Sequence, residues 1–206
     1  MTRYLLSLLV LLILTHKALG QGRVGFNNLD PPYPAVTITT TPSAFNPFDG
    51  PAGAFVGSNY TVSLVFVNGT VTSQSVFDSI PPIWVADTLF HGTTGVGPGH
   101  GFTGDGSGYF YAPTVPLVGQ TDVDVTVQLW AWYNGNGSIT SYDQSRASGH
   151  NVGQSNLLPL HIPPLGPPVN LNGLQPFTVG IPEPSSVSLI LIGVLSLIIF
   201  RHLNTK

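Results

Sequence analysis

Residues 122–133, DVDVTVQLWAWY, alternate strictly between two kinds of side chain. Every second residue from Val123 to Ala131 is aliphatic, and the positions between them carry Asp, Thr, Gln and Trp. Because successive side chains of a β-strand point to opposite faces, this period of two predicts a long strand with one buried face. A helix needs an apolar repeat of about 3.6 residues, and the sequence between the two apolar ends sustains none over three turns.

Turn-forming residues separate further β-rich runs. YTVSLVFV at 60–67 is followed by Asn68-Gly69 and then by TVTSQSVF at 70–77. Asn and Gly tolerate the positive φ of a two-residue turn, so this pattern predicts a tight β-hairpin. The chain has 24 glycines and 19 prolines, fewer than a disordered composition requires, which favours strands joined by many turns. We expect residues 21–160 to form an all-β domain, a single antiparallel β-sandwich of immunoglobulin- or fibronectin-like architecture with about seven to nine strands.

The first twenty residues have the layout of a secretory signal peptide. Arg3 supplies a positive start, residues 5–14 are almost entirely apolar, and small residues precede a cleavage site between Gly20 and Gln21. A permanent N-terminal anchor is the alternative, but the apolar core is short for a bilayer span. We therefore expect residues 1–20 to direct export through the Sec translocon and then to be removed.

The charge and the cysteine content exclude several classes of function. Between the apolar ends the chain carries two arginines against nine acidic residues, a net charge of −7, which argues against nucleic-acid binding. The sequence contains no cysteine, which excludes disulfides, thiol catalysis, zinc–thiolate sites and a lipoprotein anchor. We expect the domain to fold by packing alone, without a cofactor.

The segment at 91–111, HGTTGVGPGHGFTGDGSGYFY, is dominated by glycine. Residues 99–104 match the glycine spacing of a dinucleotide-binding loop, but that loop works between a strand and a helix, and the sequence predicts no helix here. A long surface loop is the expected structure. A cation loop using Asp105 and Ser107 is a weaker alternative, because no second carboxylate lies near it in the sequence.

The sequence offers few groups for catalysis. Four histidines lie between the apolar ends: His91, His100, His150 and His161. They lack the spacing of metal ligands on one helix or strand face, so we expect no metal site. Asp143, Ser145 and His150 lie close in sequence, but no nucleophile elbow surrounds the serine. Glu183 is the only glutamate and the aspartates lie mostly in turn-like contexts, which is a poor basis for glycosidase chemistry. We therefore expect a protein that is not an enzyme.

Trp130 and Trp132 lie on the predicted outward face of the strand at 122–133. Aromatic side chains on a β-sandwich can stack against sugar rings, so these two tryptophans are candidates for a carbohydrate-binding face. The alternative is that the same face packs against a second sheet or under a loop, because large aromatic side chains dominate sandwich cores. The sequence leaves both interpretations open.

The chain changes character after residue 160. Residues 161–180 are rich in proline and poor in charge, which predicts an extended, semi-rigid linker. The motif Pro182-Glu183-Pro184 follows, and then residues 187–200, which form an uncharged run of 14 residues, about 21 Å of helix. With help from its flanks we expect this run to form a transmembrane helix. The basic residues Arg201 and Lys206 should stop transfer and keep the tail in the cytoplasm.

This C-terminus resembles the PEP-CTERM sorting signal of Gram-negative bacteria, which combines a Pro-Glu-Pro motif, a transmembrane helix and a short basic end. Three stretches are similar to parts of such proteins in Verrucomicrobia- and Planctomycetes-like bacteria: QGRVGFNN at 21–28, the region 127–156, and PPVNLNGLQPFTV at 167–179. The resemblance implies that residues 181–206 are recognised by an exosortase-type processing enzyme. It also implies a transient membrane anchor, cleavage near the motif, and delivery to the cell surface or an extracellular polysaccharide matrix.

These features together suggest an exported structural protein of the cell surface or of an exopolysaccharide biofilm matrix. The alternative is a surface carbohydrate-binding module carried on the same anchor. In both cases the expected partners are the Sec translocon, the membrane and an exosortase-type enzyme, with extracellular polysaccharide as a further candidate.

Overall fold

The computed structural model describes residues 22–28, 36–38, 53–90, 108–112 and 114–181. Within these ranges the chain forms ten strands and two short helices. The strands are β1 (Arg23–Gly25), β2 (Val36–Ile38), β3 (Tyr60–Asn68), β4 (Ile83–Leu89), β5 (Val115–Pro116), β6 (Val123–Tyr133), β7 (Val152–Gln154), β8 (Leu158–Ile162), β9 (Val169–Asn170) and β10 (Phe177–Val179). The helices are α1 (Gln74–Ser79) and α2 (Tyr142–Ala147), and a short 3-10 turn spans Gly135–Gly137.

The largest sheet is built around β6, which confirms the strand that the alternation predicts. Its order is β4-β3-β6-β7, with β8 also paired to β6, and all of its pairings are antiparallel. β3 pairs with β6 from Tyr60 opposite Tyr133 to Asn68 opposite Val125. The other edge of β6 is shared, because β7 pairs near its end and β8 pairs near its start. β6 is therefore the central strand of the sheet.

Two smaller sheets share a buried cluster with this large sheet. One has the order β5-β1-β9, and the other pairs β10 with β2. Val125, Val127 and Leu129 of β6 are fully buried in one cluster with Phe26 and Val179 from the parts of the chain that form the small sheets. The all-β expectation is confirmed. The β1–β9 and β2–β10 pairs are parallel, which is possible because these partners are far apart in sequence and no tight turn joins them.

The prediction of a hairpin at Asn68-Gly69 is correct for its first strand and wrong for its second strand. β3 does end at Asn68, and Gly69 has φ +84°. The following residues form α1 instead of a strand, and the antiparallel partner of β3 on this side is β4. The helix brings Phe77 into a buried cluster with Val65 and Val67 of β3, so it covers the outer face of the sheet. This helix has a single buried residue, too weak an apolar pattern to predict it from sequence.

The linker predicted at 161–180 is also wrong, and so is the domain boundary at residue 160. This segment contains the end of β8 and all of β9 and β10, and it buries Ile162, Leu174 and Val179 in the main cluster. Its prolines did not prevent strand formation, because all of them lie outside β8, β9 and β10 and none removes an N–H donor from a strand. The folded domain therefore continues to Ile181.

The glycine-rich segment is described only at its end. Phe110 is fully buried, and its ring centroid lies 5.1 Å from that of Phe26 and 5.6 Å from that of Phe90. Asn28 donates to the carbonyl of Gly108 at 3.0 Å and accepts from the backbone N–H of Phe110 at 2.7 Å. The expectation of a surface loop therefore fails for Gly108 and Phe110, which are buried, whereas Tyr111 is half-exposed. Residues 91–107, with His91, His100, Asp105 and Ser107, lie outside the described ranges.

The two ends of the chain also fall outside the ranges that the structure describes. These are the signal cleavage site at Gly20 and Gln21, the motif Pro182-Glu183-Pro184, the apolar run at 187–200, and Arg201 and Lys206. Among the described helices, none is long and apolar enough to cross a membrane.

A matched pair of leucines tests whether 161–180 is part of the folded domain. Leu174 is 2% exposed and Leu165 is 74% exposed. Leu174→Ala leaves a cavity in the core, so we expect it to lower the free energy of unfolding by about 2–5 kcal/mol. Leu165→Ala should change it by less than about 0.5 kcal/mol. Urea unfolding followed by far-ultraviolet circular dichroism measures both, and equal midpoints would restore the linker interpretation.

Candidate functional site

The two tryptophans of β6 lie in different environments. Trp132 is 1% exposed, in a buried cluster with Tyr142 and Val152, and Trp130 is half-buried. The chain that follows β6 turns back over the outward face through the 3-10 turn and α2, and this is why Trp132 is covered. Trp132 is therefore not available to stack on a sugar, which corrects that part of the carbohydrate-binding prediction. Trp130 remains accessible from one side.

α2 is a short helix with favourable ends. The side chain of Ser141 caps it by accepting a hydrogen bond from the backbone N–H of Gln144 at 3.2 Å. Asp143 lies in the first turn and Arg146 in the last, so each charge complements the helix dipole. The helix thereby holds Tyr142, Asp143 and Arg146 beside the outer face of the large sheet.

An aromatic row crosses this outer face. The ring centroids of Trp84 and Trp130 are 5.2 Å apart at an interplanar angle of 88°, and those of Trp130 and Tyr142 are 4.8 Å apart at 43°. Trp84 also lies edge-on to Trp132, with centroids 6.4 Å apart. Edge-to-face aromatic pairs of this kind each contribute about 0.5–1.5 kcal/mol beyond their buried area. The row fixes the position of the Trp130 ring.

An open cleft of about 700 Å³ lies at one end of the aromatic row. Its walls come from α1, α2, β7 and the last described segment, which runs from Thr178 to Ile181. The side chains that can contact a ligand are Asp78, Trp130, Tyr142, Asp143, Arg146 and Gln154. We call this the aromatic cleft. Its volume lies within the range of about 300–1,000 Å³ that is typical of small-molecule sites.

A buried glutamine forms hydrogen bonds with several parts of the chain around the aromatic cleft. Gln128 accepts a hydrogen bond from Trp130 Nε1 at 2.7 Å, and its amide nitrogen donates to the carbonyl of Ser155 and to Gln74 Oε1, both at 2.9 Å. Gln74 in turn donates to Asp78 Oδ1 at 2.8 Å. Because Gln128 is fully buried, these bonds hold the indole of Trp130 in place, and the network reaches Asp78 through Gln74 at the exposed surface.

The remaining wall is formed by β7 and the last described residues, which pair with each other. The backbone N–H of Val152 donates to the carbonyl of Gly180 at 3.0 Å, and that of Gly180 donates to the carbonyl of Val152 at 2.9 Å. Next to this pair, Gly153 faces β10 so closely that a Cβ atom would collide with the carbonyl oxygen of Thr178. Glycine at 153 is therefore required for β7 and the last described residues to come together.

Burial raises the pKa of Tyr142 to about 12. The positive charge of Arg146 opposes this rise, while the negative charges of Asp143 and Asp78 add to it. The phenol consequently keeps its proton at physiological pH and can donate a hydrogen bond.

The structure describes three more of the residues singled out in the sequence: Ser145, His150 and His161. Ser145 Oγ is buried and makes no hydrogen bond within the described structure, so the serine is not paired with His150. The ring of His150 packs on Tyr133 with centroids 5.0 Å apart. His161 Nδ1 lies 2.9 Å from Asp124 Oδ1, because the register of β6 and β8 places these two exposed residues opposite each other. The described ranges hold no group of three or more side chains suited to a metal ion.

Sequence reasoning identified Trp130, considered Asp143 only as a member of a catalytic triad, and missed the rest of the aromatic cleft. Asp78 and Arg146 are 68 positions apart, and each lies on a six-residue helix with almost no apolar pattern. In comparisons with known proteins, no family model, no curated protein and no solved structure matches this chain. The residues of the cleft are therefore interpreted from their own geometry.

The raised pKa of Tyr142 predicts how stability depends on pH. Above about pH 10 the unfolded tyrosine loses its proton while the folded one keeps it until about pH 12, so the contribution of Tyr142 is complete below pH 10 and is lost between these values. We expect Tyr142→Phe to flatten the fall in urea midpoint over this window. Tyr111→Phe, at a half-exposed tyrosine, is the control. A pH profile of Tyr142→Phe identical to that of the wild type would refute this.

Proposed function

We propose that this chain is an exported structural protein of the cell surface or exopolysaccharide matrix, sorted and processed through a PEP-CTERM-like C-terminal signal. The observation that supports this proposal is that the described strands continue up to the motif. The last described residue, Ile181, directly precedes the motif at 182–184, and Gly180 is hydrogen-bonded to Val152. Cleavage near the motif would therefore leave every described strand in the released domain.

The distance to the apolar run limits how the signal is presented. Five residues, 182–186, separate Ile181 from the run that begins at Val187. Fully extended, they span at most about 17 Å at roughly 3.3 Å per residue. Because residues 161–180 belong to the fold, these five residues are the whole spacer between the described domain and the apolar run. An exosortase-type enzyme would have to act close to the surface of the domain.

We also propose that the described sheets form the two layers of a sandwich like those of immunoglobulin and fibronectin domains, followed by a transmembrane helix at 187–200. The large sheet and both small sheets contribute to one buried cluster, which supports two layers around a common core. The Sec translocon, the membrane and an exosortase-type enzyme are the proposed partners. After an anchored stage at the inner membrane, the protein would reach the cell surface or the matrix.

We propose a structural role without catalysis. The unpaired, buried hydroxyl of Ser145 supports this, because a serine nucleophile needs an adjacent base and an accessible oxygen. The aromatic cleft is lined by Asp78, Asp143 and Arg146. These charged side chains are suited to holding a ligand by hydrogen bonds.

Glu183 tests whether the C-terminus is a sorting handle. Its charge should contribute only about 0.3–1 kcal/mol to an adjacent membrane helix through the helix dipole, too little to affect insertion. Recognition by a processing enzyme can depend on it much more strongly. In the native host we expect Glu183→Gln to be exported and inserted normally, while a larger membrane-bound precursor accumulates on a fractionation blot.

Three further strains complete this experiment. An exosortase deletion should reproduce the Glu183→Gln precursor, and Asp122→Asn, at an exposed carboxylate far from the motif in sequence, should be processed normally. Deletion of residues 201–206 should instead release unprocessed protein, because the positive stop is lost. If the wild type, Glu183→Gln and the exosortase deletion all show one full-length membrane-bound band, the segment is a permanent anchor.

The signal peptide is tested separately. We expect the exported protein to begin at Gln21, because the small residues Ala18 and Gly20 lie at the positions that signal peptidase recognises. N-terminal sequencing or intact-mass measurement of the exported form is the measurement. A mature protein that begins at Met1 or Thr2 would contradict the prediction.

A further inference from the structure

We propose that the aromatic cleft is a binding site for an uncharged saccharide chain. The proposal concerns the folded domain alone, so it does not depend on how the C-terminus is processed. It moves the carbohydrate-binding face from the predicted pair Trp130 and Trp132 to a site in which Trp130 is combined with side chains of α1, α2 and β7.

The first argument is the combination of an aromatic wall with polar groups. Trp130 and Tyr142 pack together and both line the cleft. A sugar ring has an apolar C–H face that packs against an aromatic ring and an edge of hydroxyl groups that need hydrogen-bond partners. Asp78, Asp143 and Gln154 supply acceptors around the same cavity. Sites that join apolar walls to a few placed polar groups are typical of small-ligand recognition.

The hydrogen-bonding groups include both donors and acceptors. Carboxylates accept from hydroxyls, and hydrogen bonds to charged groups are the stronger kind. Arg146 donates, and Tyr142 donates because its phenol stays protonated. A hydroxyl both donates and accepts, so a saccharide can satisfy this mixed set of groups, whereas an aliphatic ligand would leave them unpaired.

The charge of the cleft decides between classes of saccharide. Asp78 and Asp143 face one cation, Arg146, and only one other arginine and no lysine occur among the described residues. The net charge of the lining side chains is therefore negative, and a polyuronate would be repelled. This favours neutral hexose or N-acetylhexosamine chains over acidic polysaccharides.

The cleft is also organised before a ligand binds. Gln128 is fully buried and holds Trp130 by its indole N–H, while Gln74 connects the same network to Asp78. The aromatic surface is thus held in place by a buried group, and the same hydrogen-bond chain extends to one acceptor at the surface. Binding then costs little additional ordering of side chains, which is what allows a shallow polar site to bind sugars measurably.

The experiment is calorimetric titration of the full chain purified in lauryldimethylamine oxide, because glucoside and maltoside detergents would themselves occupy a sugar site. The probes are hexamers of β-1,4-linked glucose, mannose and N-acetylglucosamine, with hexagalacturonate as the acidic comparison. We expect at least one neutral hexamer to bind with a Kd of about 1 mM or tighter, the weak range in which a few hydrogen bonds and one stacked ring suffice. Hexagalacturonate should bind more weakly.

Two variants locate the binding. Asp143→Asn changes a charge on a surface helix and should weaken the affinity for the neutral hexamer about tenfold, the factor expected for one hydrogen bond to a charged group. Trp130→Ala should weaken it by at least as much. Asp122→Asn is the matched control, because this exposed carboxylate pairs with His161 outside the cleft, and its affinity should equal that of the wild type.

Circular dichroism verifies that each variant is folded. Asp143→Asn decides the question if Trp130→Ala does not fold, because residue 143 does not contribute to the core. The proposal is overturned if no neutral hexamer binds at concentrations up to about 10 mM. It is equally overturned if Asp143→Asn binds as tightly as the wild type, or if hexagalacturonate binds more tightly than every neutral hexamer.

Discussion

The structure depends on β6 being covered on both faces and paired on both edges. Its inward side chains, from Val125 to Ala131, are fully buried in the main cluster, and its outward face carries Thr126, Gln128 and Trp132, which are also buried. A strand in this position has no freedom to change register, because a shift by one residue would place Gln128 in the apolar core. β3, β7 and β8 are each positioned by their pairing with this one strand.

Thr126 and Gln128 on the outward face of β6 are buried although they are polar, and their hydrogen bonds explain how. Thr126 Oγ1 donates to the carbonyl of Gly69 and accepts from the N–H of Val71. These two bonds hold the segment that follows β3 against β6. Gln128 links β6 to α1 and to Ser155. Burying such groups without partners would cost about 1–3 kcal/mol each. The same bonds that make this burial possible also shape the aromatic cleft.

The sequence was sufficient to predict β6, its buried face and the all-β class, because a period of two is a local signal. It was not sufficient for the pairs β1–β9 and β2–β10, since nothing local indicates which distant segments pair in parallel. The prolines between residues 163 and 168 predict a linker, but Ile162 before them and Leu174 after them are both buried in the core. Trp130 could be selected as a candidate, but Asp78 and Arg146 join it only through long-range packing.

The last strand connects the two proposals physically. β10 is held by its parallel pairing with β2 and by the contact of Gly180 with Val152, and the same residues form one wall of the aromatic cleft. A ligand that binds only the folded cleft would stabilise the folded state by RT ln(1 + [L]/Kd). In the proposed site it would contact Thr178, Gly180 and Ile181, the residues that directly precede the motif. Because Gly153 is the residue that permits β7 and β10 to approach, a side chain at 153 would disturb the cleft and the chain exit together.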